Sequence, residues 1–299
     1  MKLTRANFGE LLTPIHKKVF FKSYDELPEQ YSKVFDTNDK MTMKEETFPH
    51  MGDFGLWIEN TEGNTINEDQ MSQGDTATFT ARRFDKGYEL TWELVQDDLY
   101  NVMKGVGKGG SARALGTGLR ATIENDCAAV LNGGFTNTGY DGVALFSDSH
   151  PLADSASLGD NLTTGPLTDA NLKTGLILLR DTRNEANVRI MAQPGDLIAP
   201  PELEYTGKAL LVSTGPAGEL SNDKNTLPNM RLVVLDYLSS ATAWMLKAKA
   251  LTNLKFMWRE NAIFDSQPIP KTVDYFMYGY ARFDSGYTDH RGLVGSTGL

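Results

Sequence analysis

The residues best suited to chemistry stand together at Ser147, Asp148, Ser149 and His150. A serine hydroxyl activated by a histidine, with a carboxylate orienting the ring, is the nucleophile set of acyl-transfer hydrolases. Adjacent residues do not reproduce that geometry, and no GxSxG elbow frames either serine. His150 precedes Pro151 in a turn-rich stretch, where a histidine is expected to fix local structure by hydrogen bonding. The four histidines, His16, His50, His150 and His290, show no HxxxH or HxH spacing. With Cys127 as the one cysteine, the sequence offers neither a zinc-ligand pattern nor an intrachain disulfide. The carboxylate pairs Glu45–Glu46, Glu68–Asp69 and Asp97–Asp98 are neighbours in sequence. On a helix such neighbours point apart, so Asp97–Asp98 reads as a solvated helix start. GVGKGG at 105–110 lacks the GKS or GKT ending of a phosphate loop, and no GxGxxG follows a buried strand. Trp57, Trp92, Trp244 and Trp258 fall in apparent strands and read as packing groups. These absences lead to an expectation of no catalytic residue, no cofactor and no metal, and favour a structural or binding role.

Composition narrows the class further. The chain has 299 residues, which suits one or two domains with a sizeable core. It carries 29 Lys+Arg against 39 Asp+Glu, a formal charge of −10. An acidic chain is poorly suited to gripping phosphates or anionic membranes. No run of 18 apolar residues provides a spanning helix, and MKLTRANFGELL lacks the apolar core of a secretory signal. A reducing cytoplasm is the expected folding environment.

The elements around these residues can be read from periodicity. Residues 1–50 hold eight basic and eight acidic groups, so they are not a basic arm. A short helix is expected near Thr4 to Leu12. Beyond it, Phe20, Phe21, Tyr24, Leu27, Tyr31, Val34 and Phe35 need a surface to lie on, either the chain's own core or a neighbouring subunit. Phe54, Leu56 and Ile58 alternate with Gly55, Trp57 and Glu59, the period of a strand. A second extended run covers TATFTARRFDKGYELTW, so an elongated hairpin with a polar tip is expected. From Glu59 to Asp75 there are five acidic residues and no basic one, which reads as a solvated loop or as an acidic finger that docks on a partner.

Residues 93–132 give the strongest helical signal. Val95, Leu99, Val102, Met103 and Val106 precede the glycine break, and Ala112, Leu115, Leu119, Ile123, Cys127 and Val130 follow it at helical spacing. Gly133 and Gly134 are placed to end the helix. Residues 135–166 read as loop around the apolar island Val143 to Phe146. Residues 167–249 read as a compact α/β unit. In it Thr168 caps a helix bearing Leu172, Leu176 and Leu179, and Leu167 and Leu172 form a hydrophobic staple. VRIMA reads as a short strand, LIAPP as another apolar run, 202–212 as a second helix, and RLVVLDYLS and ATAWMLKAKA as strands. LKFMWREN is another strand. A last long one follows, with Tyr275, Met277, Gly279, Ala281 and Phe283 on one face and Phe276, Tyr278 and Tyr280 on the other. Apolar bulk on both faces predicts burial on both.

The order arm, hairpin, long helix, loop, α/β unit and closing strand resembles the HK97-type major capsid protein of tailed bacteriophages. More narrowly, it is similar to the Mu-like major head subunit family. The residues that carry the resemblance are DGVALFSDSHPL at 141–152, with DLIAPPEL at 196–203, ELVQDDLY at 93–100 and the aromatic C-terminal strand in support. The resemblance spans essentially the whole chain. It implies an α+β, HK97-like fold: an N-terminal arm over 1–51, an extended loop over 52–92, a peripheral domain with a spine helix over 93–166 and 251–299, and an axial domain over 167–250. It implies a chain that assembles with itself into pentamers and hexamers. These would close an icosahedral shell around double-stranded DNA, held without specific binding, with no membrane involved. A separate scaffolding protein and a portal are further expected partners, and assembly is expected in the bacterial cytoplasm before the protein resides in the virion capsid.

The residues expected at subunit contacts are Trp57, Glu62, Glu68 and Asp69 on the loop, and Phe20, Phe21 and Tyr24 on the arm. Some members of the wider fold group cross-link through a lysine on the extended loop. This sequence has no lysine between Lys44 and Lys86, so no such isopeptide bond is expected. Two alternatives stand beside the capsid reading. One is an encapsulin-like compartment of the same fold with a protein cargo, and the other a hydrolase using Ser147 or Ser149 with His150.

Overall fold

The computed structural model describes residues 6–71, 73–91, 93–94, 97, 110–152, 155–212, 227–249, 252–269, 272 and 274–299. The helical half expected over 95–106 and the glycine break as far as residue 109 lie outside the described residues, apart from position 97.

Helix α1, Ala6–Glu26, runs well beyond the expected end near Leu12 and carries Pro14 inside it. An internal proline removes one helical hydrogen bond at a cost of about 3 kcal/mol. Packing offsets that cost: α1 buries Phe20 and Ser23 against helix α2, Ser111–Asn132. Gly116 makes the crossing possible, because a side chain there would collide with the Phe20 carbonyl and the Ser23 hydroxyl. Helix α2 buries Ala112, Ile123, Cys127 and Leu131 along one face, as its spacing predicts. It ends at Gly133, as expected. Gly133 keeps a right-handed φ of −78°, and the chain tightens into a 3-10 turn over Gly133–Phe135 instead of turning left-handed.

The extended run from 73 to 90 divides at Ala81 between two sheets. Strand β1, Glu45–Met51, pairs antiparallel with β2, Gln73–Thr80. Strand β3, Arg82–Leu90, joins β10, Leu254–Pro268, and β11, Tyr275–Tyr287, in a three-stranded sheet with β11 central. On β11 the Tyr275, Met277, Ala281 and Phe283 face is buried against the helices. The opposite face is only half-buried, which corrects the expectation of burial on both sides. There Phe276, Tyr278 and Tyr280 cover one another in a ladder, with ring centroids 5.7 and 6.4 Å apart.

The loop at 135–166 holds three short strands: β4, His150–Leu152, β5, Ser155–Gly159, and β6, Leu162–Thr163. The apolar island is real, with Leu145 and Phe146 buried in the main core. After it, the Thr168 hydroxyl accepts from the Asn171 N–H at 3.3 Å and caps helix α3, Asp169–Asp181. VRIMA forms no strand. Asn187 and Met191 adopt positive φ, and only an isolated Arg183–Arg189 bridge remains there.

A five-stranded sheet follows in the order β6-β12-β9-β7-β8. Its other members are β7, Pro194–Ala199, β8, Arg231–Val234, β9, Trp244–Ala248, and β12, Leu293–Ser296. The sheet is apolar on both faces, and the period of two sorts its side chains. Ile198, Val233, Met245 and Leu293 join the core built on α2, β10 and β11. Leu197, Trp244, Leu246 and Val294 face a second core with α3 and α4, Glu204–Val212. The α/β unit and the helix-and-sheet unit therefore share one apolar core across the face of this sheet.

Candidate assembly interface

The Ser147–His150 stretch borders a buried polar junction: Asp148 is exposed, Ser147 and Ser149 are half-buried, and His150 is buried. His150 is 0% exposed, closed off from any substrate. Its Nδ1 lies 2.5 Å from Asp141 Oδ2 and its Nε2 3.2 Å from Asn161 Oδ1. The Asn161 amide is fixed: its oxygen accepts from the Ser147 N–H at 2.8 Å and its nitrogen donates to the Leu145 carbonyl at 2.8 Å. Ser147 and Ser149 bond each other at 3.0 Å, not the histidine. A general base must reach its nucleophile, so this arrangement supports no hydrolase.

His290 joins the same junction from the end of β11, which sequence spacing could not show across 140 residues. Its ring stacks on His150 with centroids 3.6 Å apart and planes within 1°. Ligand atoms of Asp141, His150 and His290 lie within 4.8 Å of one another. The hydrogen bonds argue against a metal centre. Both His150 nitrogens face oxygen acceptors and so act as donors, and parallel stacked rings do not aim their lone pairs at one point.

The exposed loop has the opposite character. Its base is anchored firmly. The Arg82 guanidinium binds Asp126 of α2 at 2.7 Å and Asp284 of β11 at 2.8 Å, and Asp284 accepts from the Thr80 N–H at 2.9 Å. From this base residues 52–71 project without ladder pairing, so the strand expected at Phe54 to Ile58 does not form. A two-stranded ribbon without a covering layer is marginal in water. A turn closes the tip at 61–64, where Gly63 takes a φ of 89° and the Asn64 N–H donates to the Thr61 carbonyl at 3.2 Å.

The loop's apolar side chains are bare. Trp57 is 100% exposed, Ile66 87% and Leu56 77%, with Phe54 and Ile58 also exposed. Large apolar groups gathered in this way mark interaction surfaces. Glu62 and Glu68 are exposed near them. Asp69 is already engaged within the loop, accepting from the Gly55 N–H at 2.9 Å and the Gln70 N–H at 2.9 Å.

The arm residues pack on their own chain. Phe20 is 1% exposed, packed with Ala112, Phe264 and Met277 of its own chain. Phe21 is partly buried beside it, at 5.1 Å between ring centroids. Tyr24 lies under the Arg120 guanidinium of α2 at 4.0 Å, and burial pushes its hydroxyl up to about 12. Further along, Glu124 of α2 accepts from the Gln30 and Tyr31 N–H groups, both at 2.9 Å. Of the two surfaces open to these aromatics, the chain's own core covers Phe20 and Tyr24 through a second helix of the same chain.

Residues 75–296 match the phage capsid protein family. A chain of the bacteriophage JBD30 procapsid is 16% identical, with TM-score 0.51 over 98% of this chain and 76% of that one. The bacteriophage PhiM1 mature capsid gives 10% identity and TM-score 0.57 over 90% and 87%. The virus-like particle of Pyrococcus furiosus gives 11% identity and TM-score 0.50 over 97% and 99%. Among curated proteins none matches the sequence significantly. The fold is HK97-like, and with the family match covering most of its length, the chain belongs to the phage capsid protein family.

Proposed function

We propose that this capsid subunit builds its shell by laying the 52–71 loop on a neighbouring copy, with Trp57 as the buried anchor. The observation that carries the reading is a fully bare tryptophan on a loop whose base is clamped by Arg82. Covering a side chain of that size contributes on the order of 2 kcal/mol or more, and repetition around a closed shell multiplies the gain. Glu62 and Glu68 meet cationic groups of the neighbour. Pentamers and hexamers close an icosahedral head around double-stranded DNA, with a separate scaffolding protein and a portal taking part. Assembly takes place in the bacterial cytoplasm, and the chain is a head subunit of the Mu-like kind. The net charge of −10 suits a wall that encloses DNA without gripping it.

Negative-stain electron microscopy of the chain, expressed alone and with its neighbouring genes, tests this. Closed shells or capsomer rings are expected, and a monodisperse monomer under both conditions would refute it. Glu62→Lys with Glu68→Lys should impair assembly while the subunit stays folded; normal shells would remove the charge pairing. Particles filled with one protein species instead of DNA would favour the encapsulin-like compartment. A denaturing gel should show single subunits, and a covalent ladder would overturn the expectation of no isopeptide bond.

A further inference from the structure

The buried junction around His150 has a property that the shell function does not use. It ties together four parts of the chain: the turn at 139–142, the β4–β5 hairpin, the segment after α3, and the 288–291 link between β11 and β12. Arg291 donates to Glu185 at 2.6 Å and Asp289 at 3.0 Å, and its Nε donates to the Arg183 carbonyl at 3.0 Å. Tyr140 donates to Asp289 at 3.2 Å and bonds His290 Nδ1 at 2.9 Å, and His50 of β1 stacks on the Tyr140 ring. The ionisable groups facing the histidine pair are therefore Tyr140 and Asp141 from the turn, Tyr287, Asp289 and Arg291 around the end of β11, Glu185 beyond α3, and His50 from β1.

Within this setting the two stacked rings are not equivalent. The fixed oxygens of Asp141 and Asn161 receive both ring nitrogens of His150, which is the hydrogen-bonding pattern of an imidazolium. A second imidazolium face to face with it, centroids 3.6 Å apart and shielded from water, would set like charges against each other. We propose that the His150–His290 stack is a proton-sensitive latch that holds one imidazolium and opens when acid adds a second. Opening separates the 139–163 segment from 288–296, and with it the contact between β6 and β12.

The size and sign of the effect follow from linkage. Burial, and then the charge of His150, hold His290 down at about 3 against its ordinary 6.5. A histidine depressed in the closed form contributes stability that is fully present above pH 6.5 and is lost as pH falls toward 3. Between pH 7 and pH 5, opening that frees His290 becomes about 25-fold more favourable. Asp141 and Asp289 are both held below their ordinary 3.8 despite burial, by His150 and by Arg291 respectively, so they stay ionised across that range.

Hydrogen exchange of the full chain, read by mass spectrometry at pH 7, 6 and 5 and corrected for the intrinsic rate, tests the latch. Peptides covering 139–163 and 288–296 should lose about 25-fold in protection, while peptides of β10 hold theirs. His290→Phe keeps an aromatic ring without the proton, and the same peptides should then change less than threefold. Equal acid opening in both proteins, or no opening in the wild type, overturns the proposal. Should His290→Phe fail to fold, ring nitrogen shifts of labelled histidine in the wild type decide: one doubly protonated ring and one neutral ring at pH 6 are expected, and two ordinary titrations near 6.5 refute it.

Discussion

The loop at 52–71 and the strand pair β10–β11 are both rich in large apolar side chains, yet one is bare and the other sealed. On β11, Met277, Ala281 and Phe283 sit one face deep against α1 and α2. On the loop, Phe54, Leu56, Trp57, Ile58 and Ile66 touch no second layer. Local composition barely separates the two. What differs is whether the chain itself brings another element onto the apolar face. A strand with a covering helix gains burial and a fixed register, whereas a ribbon without one gains neither. Among the described residues, the strand pair finds its cover within the chain, and the loop does not.

Substitutions that pull the two regions apart sharpen this contrast. Phe283→Ala removes a fully buried ring and should cost about 3–5 kcal/mol in urea unfolding of unassembled subunits. A loss under about 1 kcal/mol would mean that this sheet does not hold the body together. Glu124→Ala should cost about 1–3 kcal/mol, because two backbone N–H groups lose their acceptor and Arg120 loses a neighbour. Limited proteolysis should then cut faster between residues 26 and 45, and an unchanged pattern would detach the arm from Glu124. Thr168→Ala should cost about 1 kcal/mol through loss of the α3 cap, seen as a shifted urea midpoint at constant slope. Trp57→Ala should change subunit stability by less than about 0.5 kcal/mol while abolishing shells by sedimentation. A destabilised Trp57→Ala subunit, or normal shells from it, would break the distinction between packed body and bare loop.

Much of the body was legible in the sequence. The 3.6-residue spacing of Ala112, Ile123 and Cys127 marked the buried face of α2, and Thr168 marked the start of α3. The acidic, lysine-free stretch marked the loop, although Trp57 read as a packing group in a strand and is bare. Other features were misread for identifiable reasons. The first helix read as ending near Leu12 because local propensity cannot count the contacts α1 makes with α2. VRIMA read as a strand by composition, but positive φ at Asn187 and Met191 turns the chain instead. The histidine pair was invisible because residues 150 and 290 meet only after the β4 hairpin and the end of β11 are both in place.

By itself the sequence determined where helices and strands can form, which of their faces are apolar, and that no motif for catalysis or metal binding is spelled out locally. Those properties follow from periodicity and residue chemistry over windows of ten to twenty residues. Only the tertiary structure decided which apolar faces find cover within the chain. It seated Phe20 and Tyr24 on α2, shared one core across the five-stranded sheet, stacked His150 on His290, and left Trp57 bare. Each of these depends on segments far apart in sequence arriving at one place, and the free energy of burial belongs to the pair of surfaces, not to either segment alone.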